Sequence, residues 1–454
     1  MGRFQITDFM TPTAGFAALV GVVIGILLLK NLRNARFLLS IILAFGAMGM
    51  TDDQVETKHG TVVKHFLVPL VSLRQPLFLG MGLLLGLGAA AHMGRLSASR
   101  ISGASYGLIA VGCFVGLAQF YHAGAVDGMA TIAIALITLG VPALVVPSVL
   151  DEYDDFMRCI RAIAFAGVIW NLCVAAQFVI NPSALTLGAS KRFMGMGANP
   201  QHAASFLALV GTCSLFLTLN ESHQRFRLLW LAQAAVCAAF IGWAGSRTGA
   251  AMLVIGSVAV LYRRLGRAVL LLPVVAVIFA VAVKVIQSFS FNVGTERLMS
   301  TQDTRSAVWR NMLESGLNNP MLGVGTRNAG GSENSFLLAF ASFGVGGLLC
   351  SLFLLAVVAV NCWQLLRVRG LFEPAAGRLV DLQIGLFGAF FAGALFEGYL
   401  VARVSSMTVM FILFASMSSR LVAIAKQGAT STPFPLDTEY GPSDAPSSVY
   451  PAGG

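Results

Sequence analysis

Long apolar stretches separated by short polar segments make up most of the chain over residues 12–419. Each stretch runs for about 15–23 residues, close to the length an α-helix needs to cross a bilayer. A transmembrane barrel would show polar and apolar positions alternating over strands of roughly ten residues, and no such pattern occurs. The pattern therefore predicts an all-α polytopic membrane protein.

The stretches predict thirteen membrane helices, near 12–29, 37–50, 76–94, 104–122, 127–149, 158–180, 202–219, 228–244, 248–262, 268–286, 336–363, 380–396 and 404–419. The second stretch, of about fourteen residues, is short enough to be re-entrant, so twelve is the alternative count. No small-residue cleavage motif follows the first stretch, which we interpret as a membrane helix and not as a removed signal peptide.

Composition agrees with this class and marks one boundary. Hydrophobic residues make up 57% of the chain and charged residues 11%, against about 25% charged in soluble proteins. Residues 427–454 are rich in Pro, Ser, Gly and acid, which predicts a disordered tail after a helical bundle at 1–426. The seven cysteines fall within or beside apolar segments, as packing residues do, and form no disulfide framework.

The formal charge of +10 is distributed unevenly, because alternate loops hold more than half of the chain's 30 Lys and Arg residues. Basic residues favour the cytoplasmic side of a membrane. The predicted cytoplasmic set is Lys30, Arg33, Arg36, Arg95, Arg100, Arg158, Arg161, Arg225, Arg227, Arg263, Arg264, Arg267, Arg367, Arg369, Arg378, Arg420 and Lys426. The loops at 51–75, 181–201, 245–247, 287–335 and 397–403 then face outward, which is the periplasmic side of a bacterial inner membrane, and the C-terminus is cytoplasmic.

The long outward loop, 287–335, contains the segment "DTRSAVWRNMLESGL". It predicts an amphipathic helix capped by Asp303 or Thr304. Its predicted apolar face consists of Val308, Trp309, Met312, Leu313 and Leu317. The turn residues of "NNPMLGVG" end the helix. The loop is therefore predicted to be partly helical and to lie on the membrane surface.

Basic residues on the outward side require an explanation because they oppose the general charge tendency. They are Lys191, Arg192, Arg247, Arg297, Arg305, Arg310 and Arg327. Arg247 lies in "GSRTG", between two predicted helices with almost no loop. A charge this close to hydrocarbon often marks a functional site, and a snorkelling helix anchor is the alternative.

Arg305 and Trp309 are four residues apart, so they are predicted to share one face of the loop helix. A guanidinium beside an indole suits a lipid phosphate or diphosphate, since arginine binds phosphate oxygens bidentately. A solvated face with general headgroup contact is the alternative. Arg310 has a simpler explanation available, because Glu314 follows it by four residues and can pair with it.

Glu333 precedes an apolar run in "GGSENSFLLAF". Ser332 is a candidate N-cap, which would place Glu333 in the first turn, where the helix dipole favours a carboxylate. The functional alternative is a general base at the membrane surface. No histidine pair has metal-ligand spacing and no nucleotide-binding glycine loop occurs, so we expect neither metal nor cofactor. No feature indicates nucleic-acid binding.

Three segments, "GSRTGA", "TRSAVWRNMLESGLNNPMLGVG" and "ENSFLLAFASFGVGGLL", with "RFMGMGANPQHAASFLALVG" upstream, resemble the O-antigen ligase and O-antigen polymerase superfamily of bacterial envelope glycosyltransferases. The resemblance spans roughly residues 190–360. It implies a GT-C-like architecture with a large periplasmic loop. It also implies metal-independent, inverting transfer of a glycan from a polyprenyl diphosphate carrier to an acceptor sugar hydroxyl.

The resemblance also implies roles for individual residues. Arg247 and Arg305 correspond to the arginines that hold the diphosphate, and Glu333-Asn334 stands where the family has an "HN" motif. The missing histidine favours a polymerase over a ligase that transfers to lipid A core. Further candidate substrate-binding residues are Arg192, Lys191, Arg310, Asn334, Trp309 and Arg327.

Three alternatives stay open. One is the ligase itself. Another is a transporter or flippase for an anionic lipid-linked substrate, which predicts broken helices, charges near the membrane midplane and an internal repeat. The third is a scaffold within a glycan-export complex. Under the enzyme hypothesis the partners are the lipid-linked donor, an acceptor glycan and the bilayer, with chain-length or export proteins as further candidates.

Overall fold

The computed structural model describes residues 100–148, 150–187, 192–197, 199–266, 305–326, 328–331, 333–400 and 405–428. In these ranges eight helices are long and apolar enough to cross a membrane. The protein is a multi-pass helical membrane protein, which confirms the predicted class. The predicted helices at 12–29, 37–50, 76–94 and 268–286 lie outside the described residues, so the predicted total of twelve or thirteen stays a prediction.

The helices are, in chain order, α1 Gly103–Ala123, α2 Ala125–Ala135, α3 Val141–Ser148, α4 Tyr153–Ile180, α5 Pro200–Asn220, α6 Gln224–Ala244, α7 Arg247–Leu265, α8 Ser306–Asn318, α9 Ser335–Val368, α10 Pro374–Ala394 and α11 Ser406–Gly428. A π-helical turn, Leu136–Gly140, joins α2 and α3 into one span. Two short strands, β1 Thr186–Leu187 and β2 Arg192–Phe193, pair antiparallel. Each predicted span in the described ranges is a helix, although α11 continues to Gly428, past the predicted tail boundary at 427.

Two helices form the centre of the described bundle. In α5 and α11, 78% and 83% of the most apolar stretch is buried, against 22% in α6. Buried hydroxyls of α5 donate to carbonyls one turn back: Thr212 Oγ1 to Ala208 O at 2.9 Å and Ser214 Oγ to Val210 O at 2.9 Å. Helix α5 thus satisfies these polar groups internally, as an apolar environment requires.

Close packing brings the first turns of α5 and α7 together. At Gly249 and Gly256 of α7, an added Cβ would lie 2.6 Å from Ala204 Cβ and 2.3 Å from Thr212 Oγ1. Small residues allow such close approach between membrane helices. Helix α7 packs on both α5 and α10. It is not counted among the eight apolar spans, because it contains three arginines.

Successive helices run in opposite directions, so the charged residues near their termini lie at two opposite ends of the bundle. Arg305 meets the first turn of α7, and we call this the Arg305 end. In the last turn of α7, Arg264 donates to Leu219 O near the end of α5. By helical rise, Arg264 lies about 25 Å from Arg247, and we call this the Arg264 end. Arg161 and Arg227, which bond to Glu221 directly after α5, also lie at the Arg264 end, and the common side of the whole predicted cytoplasmic set stays a prediction.

The loop after α8 is hydrogen-bonded to a break in α9. Val324 N donates to Ala341 O at 2.8 Å, and Val345 N donates to Pro320 O at 2.7 Å. The break is at Gly344, whose φ of 65° and ψ of −157° are not helical. These bonds replace helical ones and attach the loop to α9 at the Arg305 end.

Candidate functional site

Arg305 connects three separate parts of the chain at one point. Its Nη2 lies 3.3 Å from Glu397 Oε1 and donates to Thr248 Oγ1 at 3.2 Å. Its Nε lies 3.7 Å from Glu333 Oε2, and its Cζ lies 5.0 Å from the centre of the Phe396 ring. The side chain stays 21% exposed. The guanidinium is therefore held in place by these contacts, and the Arg305 side chain is still partly exposed.

Glu397 is a candidate site residue that sequence reasoning missed. Its side chain is only 3% exposed, and its second carboxylate oxygen, Oε2, lies 3.9 Å from His202 Nε2. Ser335 Oγ donates to the Glu397 carbonyl at 2.5 Å and accepts from Leu400 N at 3.2 Å, which fixes the backbone. The sequence could have identified Glu397, because in "LFEGYL" it is a charged residue directly after an apolar run. Arg247 was selected for the same reason.

The structure corrects the predicted helix start near Glu333. Asn334 is the N-cap of α9, and its Oδ1 accepts from Phe336 N at 2.9 Å and Leu337 N at 3.0 Å. The prediction that Ser332 caps this helix with Glu333 in its first turn is wrong. Asn334 is a strong capping residue, and its Nδ2 also donates to Leu395 O at 2.9 Å.

Glu333 consequently lies just before the helix and does not cap it. Its Oε2 atom is buried and has no hydrogen-bond partner, although it faces the Arg305 guanidinium at 3.7 Å. The side chain as a whole is 30% exposed. The carboxylate is thus directed into the site, which removes helix capping as its explanation.

Trp309 shares a helix face with Arg305, as predicted. Its Nε1 donates to Glu333 O at 3.2 Å, and its ring lies 6.2 Å from Phe396 at an interplanar angle of 26°. On the predicted apolar face of α8, Met312 is buried, whereas Leu313 and Leu317 are exposed. The predicted caps, Asp303 and Thr304, lie outside the described residues. Arg305 is at the N-cap position of α8, and its side chain makes no capping hydrogen bond to the helix.

Arg310 and Glu314 do not pair. Both side chains are exposed on α8, and no ion pair joins them although their spacing of four residues permits one. This pair, the alternative explanation that the sequence offers for Arg310, therefore does not form in the described residues, and Arg310 stays a candidate for contact with a ligand.

Arg247 and Arg192 lie on either side of one turn. Arg247 is exposed and begins α7, next to Thr248. Arg192 is buried, and its Nε donates to Ala244 O, the last residue of α6, at 2.8 Å. Arg192 therefore holds the turn that presents Arg247, and its predicted contact with substrate stays a prediction. Lys191 and Arg327 lie outside the described residues.

Tyr399 completes the surroundings of Glu397. Its hydroxyl donates to Phe390 O. Burial, together with the nearby Glu397 charge, raises the pKa of Tyr399 well above its ordinary value. Tyr399 is thus a neutral hydrogen-bond donor that fixes the loop after α10.

Comparison with known proteins adds no relative. No family model matches the chain, and no curated protein matches it significantly. In the described ranges, no three His, Cys, Asp or Glu residues are grouped as a metal site requires. The functional argument therefore depends on the site itself.

Proposed function

We propose that this protein is a membrane glycosyltransferase. It polymerises polyprenyl-diphosphate-linked oligosaccharide repeat units of an O-antigen or exopolysaccharide at the periplasmic face of a bacterial inner membrane. One observation carries the proposal: at one end of the bundle, the partly exposed Arg305 guanidinium is held between Glu333 and Glu397. Arg247 directly precedes Thr248, whose Oγ1 accepts a hydrogen bond from Arg305 Nη2.

On the donor side, Arg305 and Arg247 bind the diphosphate. A guanidinium binds phosphate oxygens with charge-assisted hydrogen bonds. Since Glu397 and Thr248 already fix Arg305, little reorganisation is needed as negative charge develops on the leaving diphosphate. Fixed donors of this kind stabilise a transition state strongly.

On the acceptor side, Glu333 accepts the proton of the acceptor hydroxyl. The hydroxyl oxygen then forms a bond to the anomeric carbon of the donor sugar. The bond from that carbon to the diphosphate oxygen breaks, and the diphosphate leaves with the electron pair. Attack opposite the leaving group inverts the anomeric centre. Holding two membrane-bound glycans together supplies much of the rate enhancement.

The position of the break in α9 favours an enzyme over a transporter. Residues 345–368 alone extend about 36 Å by helical rise, longer than a hydrocarbon core of about 30 Å. The break at Gly344 therefore lies near one end of the span. The described site charges are at the same end, whereas a transporter would place them near the midplane.

The test is a transfer assay with purified full-length protein, a polyprenyl-diphosphate oligosaccharide and EDTA, without nucleotide sugar. Wild type should give a ladder of longer lipid-linked glycans. Glu333→Gln and Arg305→Ala should each lower the rate about 100-fold or more. Arg305→Lys keeps a charge beside Glu397 but lacks the fork, so its loss of rate would separate chemistry from folding. Glu314→Gln, an exposed acid-to-amide change on α8, is the control and should keep the rate.

Other results would redirect the proposal. Transfer only after addition of a lipid A core acceptor would establish the ligase alternative. Donor binding without transfer to any acceptor would support transport or scaffolding, and would overturn the role of Glu333. Activity that disappears with EDTA and returns with a divalent cation would contradict the metal-independent mechanism.

A further inference from the structure

Glu397 links Arg305 to a second basic side chain. Its Oε1 lies 3.3 Å from Arg305 Nη2, while Oε2 lies 3.9 Å from His202 Nε2. The carboxylate is 3% exposed, but the His202 side chain, in the first turn of α5, is 55% exposed. A buried acid is therefore paired with an imidazole that reaches the surface of the site.

The charges around Arg305 indicate why a basic residue paired with Glu397 would help this site bind a diphosphate. Arg305 lies between Glu333 and Glu397, so two carboxylates more than offset its single positive charge. A diphosphate would bring further negative charge to this point. Arg247 supplies one more cation, and a site for a multiply charged anion gains from another.

His202 is placed to supply that cation. An imidazole that takes up a proton becomes a cation, and Glu397 Oε2 lies 3.9 Å from His202 Nε2, close enough to pair with it. The Glu397 carbonyl accepts from Ser335 Oγ, which in turn accepts from Leu400 N, so the pairing geometry does not depend on a ligand. An imidazolium here has N–H donors and high exposure, as contact with a phosphate oxygen requires.

We propose that charged His202, paired with Glu397, is a third cationic ligand of the donor diphosphate beside Arg305 and Arg247. The inference rests on the proposed function, which supplies the diphosphate. His202 forms and breaks no covalent bond; it contributes a hydrogen-bond donor and a positive charge. Glu397 acts as the positioning residue shared by His202 and Arg305.

Equilibrium binding of geranylgeranyl diphosphate and geranylgeranyl monophosphate to purified full-length protein tests the inference. His202→Gln, which removes the charge, should raise the Kd for the diphosphate about tenfold or more. His202→Lys, which restores a cation, should bring the Kd back within about threefold of wild type. The monophosphate should be affected less. The control is His122→Gln at the same end, since His122 Nε2 contacts Leu322 O instead of Glu397.

The possible outcomes separate the two proposals. Equal diphosphate binding by wild type and His202→Gln would overturn the role of His202 and leave the proposed function intact. Binding by His202→Lys as weak as by His202→Gln would show that charge is not the cause, and would also overturn it. If wild type does not bind the diphosphate, the donor site fails, and both proposals fail with it. Because His202 is exposed, unchanged thermal unfolding midpoints should accompany each variant.

Discussion

At the scale of single residues, Arg305 and Glu397 depend on each other for stability. Arg305→Ala leaves the Glu397 carboxylate, which is 3% exposed, without its guanidinium. Breaking a buried ion pair from one side costs about 3–5 kcal/mol of unfolding free energy. Adding Glu397→Gln should recover much of this loss, since a neutral amide is easier to bury than a charge. Thermal unfolding of the single and double variants in detergent measures the recovery.

The matched control for this prediction is Glu314→Gln, an acid-to-amide change on an exposed side chain. It should leave the unfolding midpoint nearly unchanged, both alone and combined with Arg305→Ala. A double variant of Arg305 and Glu397 that is no more stable than Arg305→Ala would show that the pair is not what stabilises Glu397.

For single residues, the sequence predicted the arrangement that is set by spacing along one helix. It did not predict contacts between segments that are far apart in the chain. The shared face of Arg305 and Trp309 follows from their four-residue separation, and the structure confirms it. The same spacing permits an Arg310–Glu314 pair, which does not form. Glu397 was missed because its importance comes from Arg305, which is 92 residues away in the chain.

At the scale of elements, Asn334 both begins α9 and joins it to the end of α10. Asn334→Asp keeps the cap, because a carboxylate also accepts from Phe336 N and Leu337 N, but it loses the donor to Leu395 O. Asn334→Ala loses both interactions. We expect a loss of about 1 kcal/mol for Asp and about 2 kcal/mol or more for Ala, measured by unfolding in detergent. Equal losses would mean that the cap contributes nothing.

Gly344 allows the break in α9, and the loop after α8 fills the space beside it. A Cβ at Gly344 would lie 2.3 Å from Pro320 O, and φ is 65°. Gly344→Ala should therefore detach the loop, lower the unfolding midpoint and expose 319–326 to limited proteolysis. Gly370→Ala, where an added Cβ meets nothing within 4 Å, is the control. Proteolysis unchanged from wild type in Gly344→Ala would contradict the role of the break.

Helix existence was predictable at this scale, but helix details were not. Apolar length alone predicted each described span. The cap was assigned to Ser332 instead of Asn334 because both residue types cap helices. The break at Gly344 lies in the apolar run "FASFGVGG", where no pattern interrupts the helix, and it is produced by hydrogen bonds from the loop at 319–326.

At the scale of the whole molecule, the distribution of charge defines two ends. The site gathers Thr248, His202, Arg305, Glu333 and Glu397 from five segments. Loop alternation predicted that these segments share one side, because successive spans reverse direction. Which side chains meet there could not be predicted, since that depends on the close packing of α5 and α7.

The charge distribution also predicts which side of the membrane holds the site. Arg161, Arg227 and Arg264, three members of the predicted cytoplasmic set, lie at the Arg264 end, so the Arg305 end should face outward. Exposed positions at the two ends are Ser306 and Ser222. In a variant with the seven native cysteines replaced by alanine, Ser306→Cys should react with a membrane-impermeant maleimide in intact bacteria. Ser222→Cys should react only after the membrane is disrupted.

The opposite labelling pattern would place the Arg305 end in the cytoplasm. Acceptor and donor glycans on the periplasmic face would then be unable to reach Arg305 and Glu333, and the periplasmic part of the proposed function would fail. The cysteine-free parent, which should not react under either condition, controls for other labelled groups. The two positions lie at opposite ends of one fold, so only one of the two cysteines should react in intact bacteria. Which of them reacts shows on which side of the membrane the diphosphate site lies.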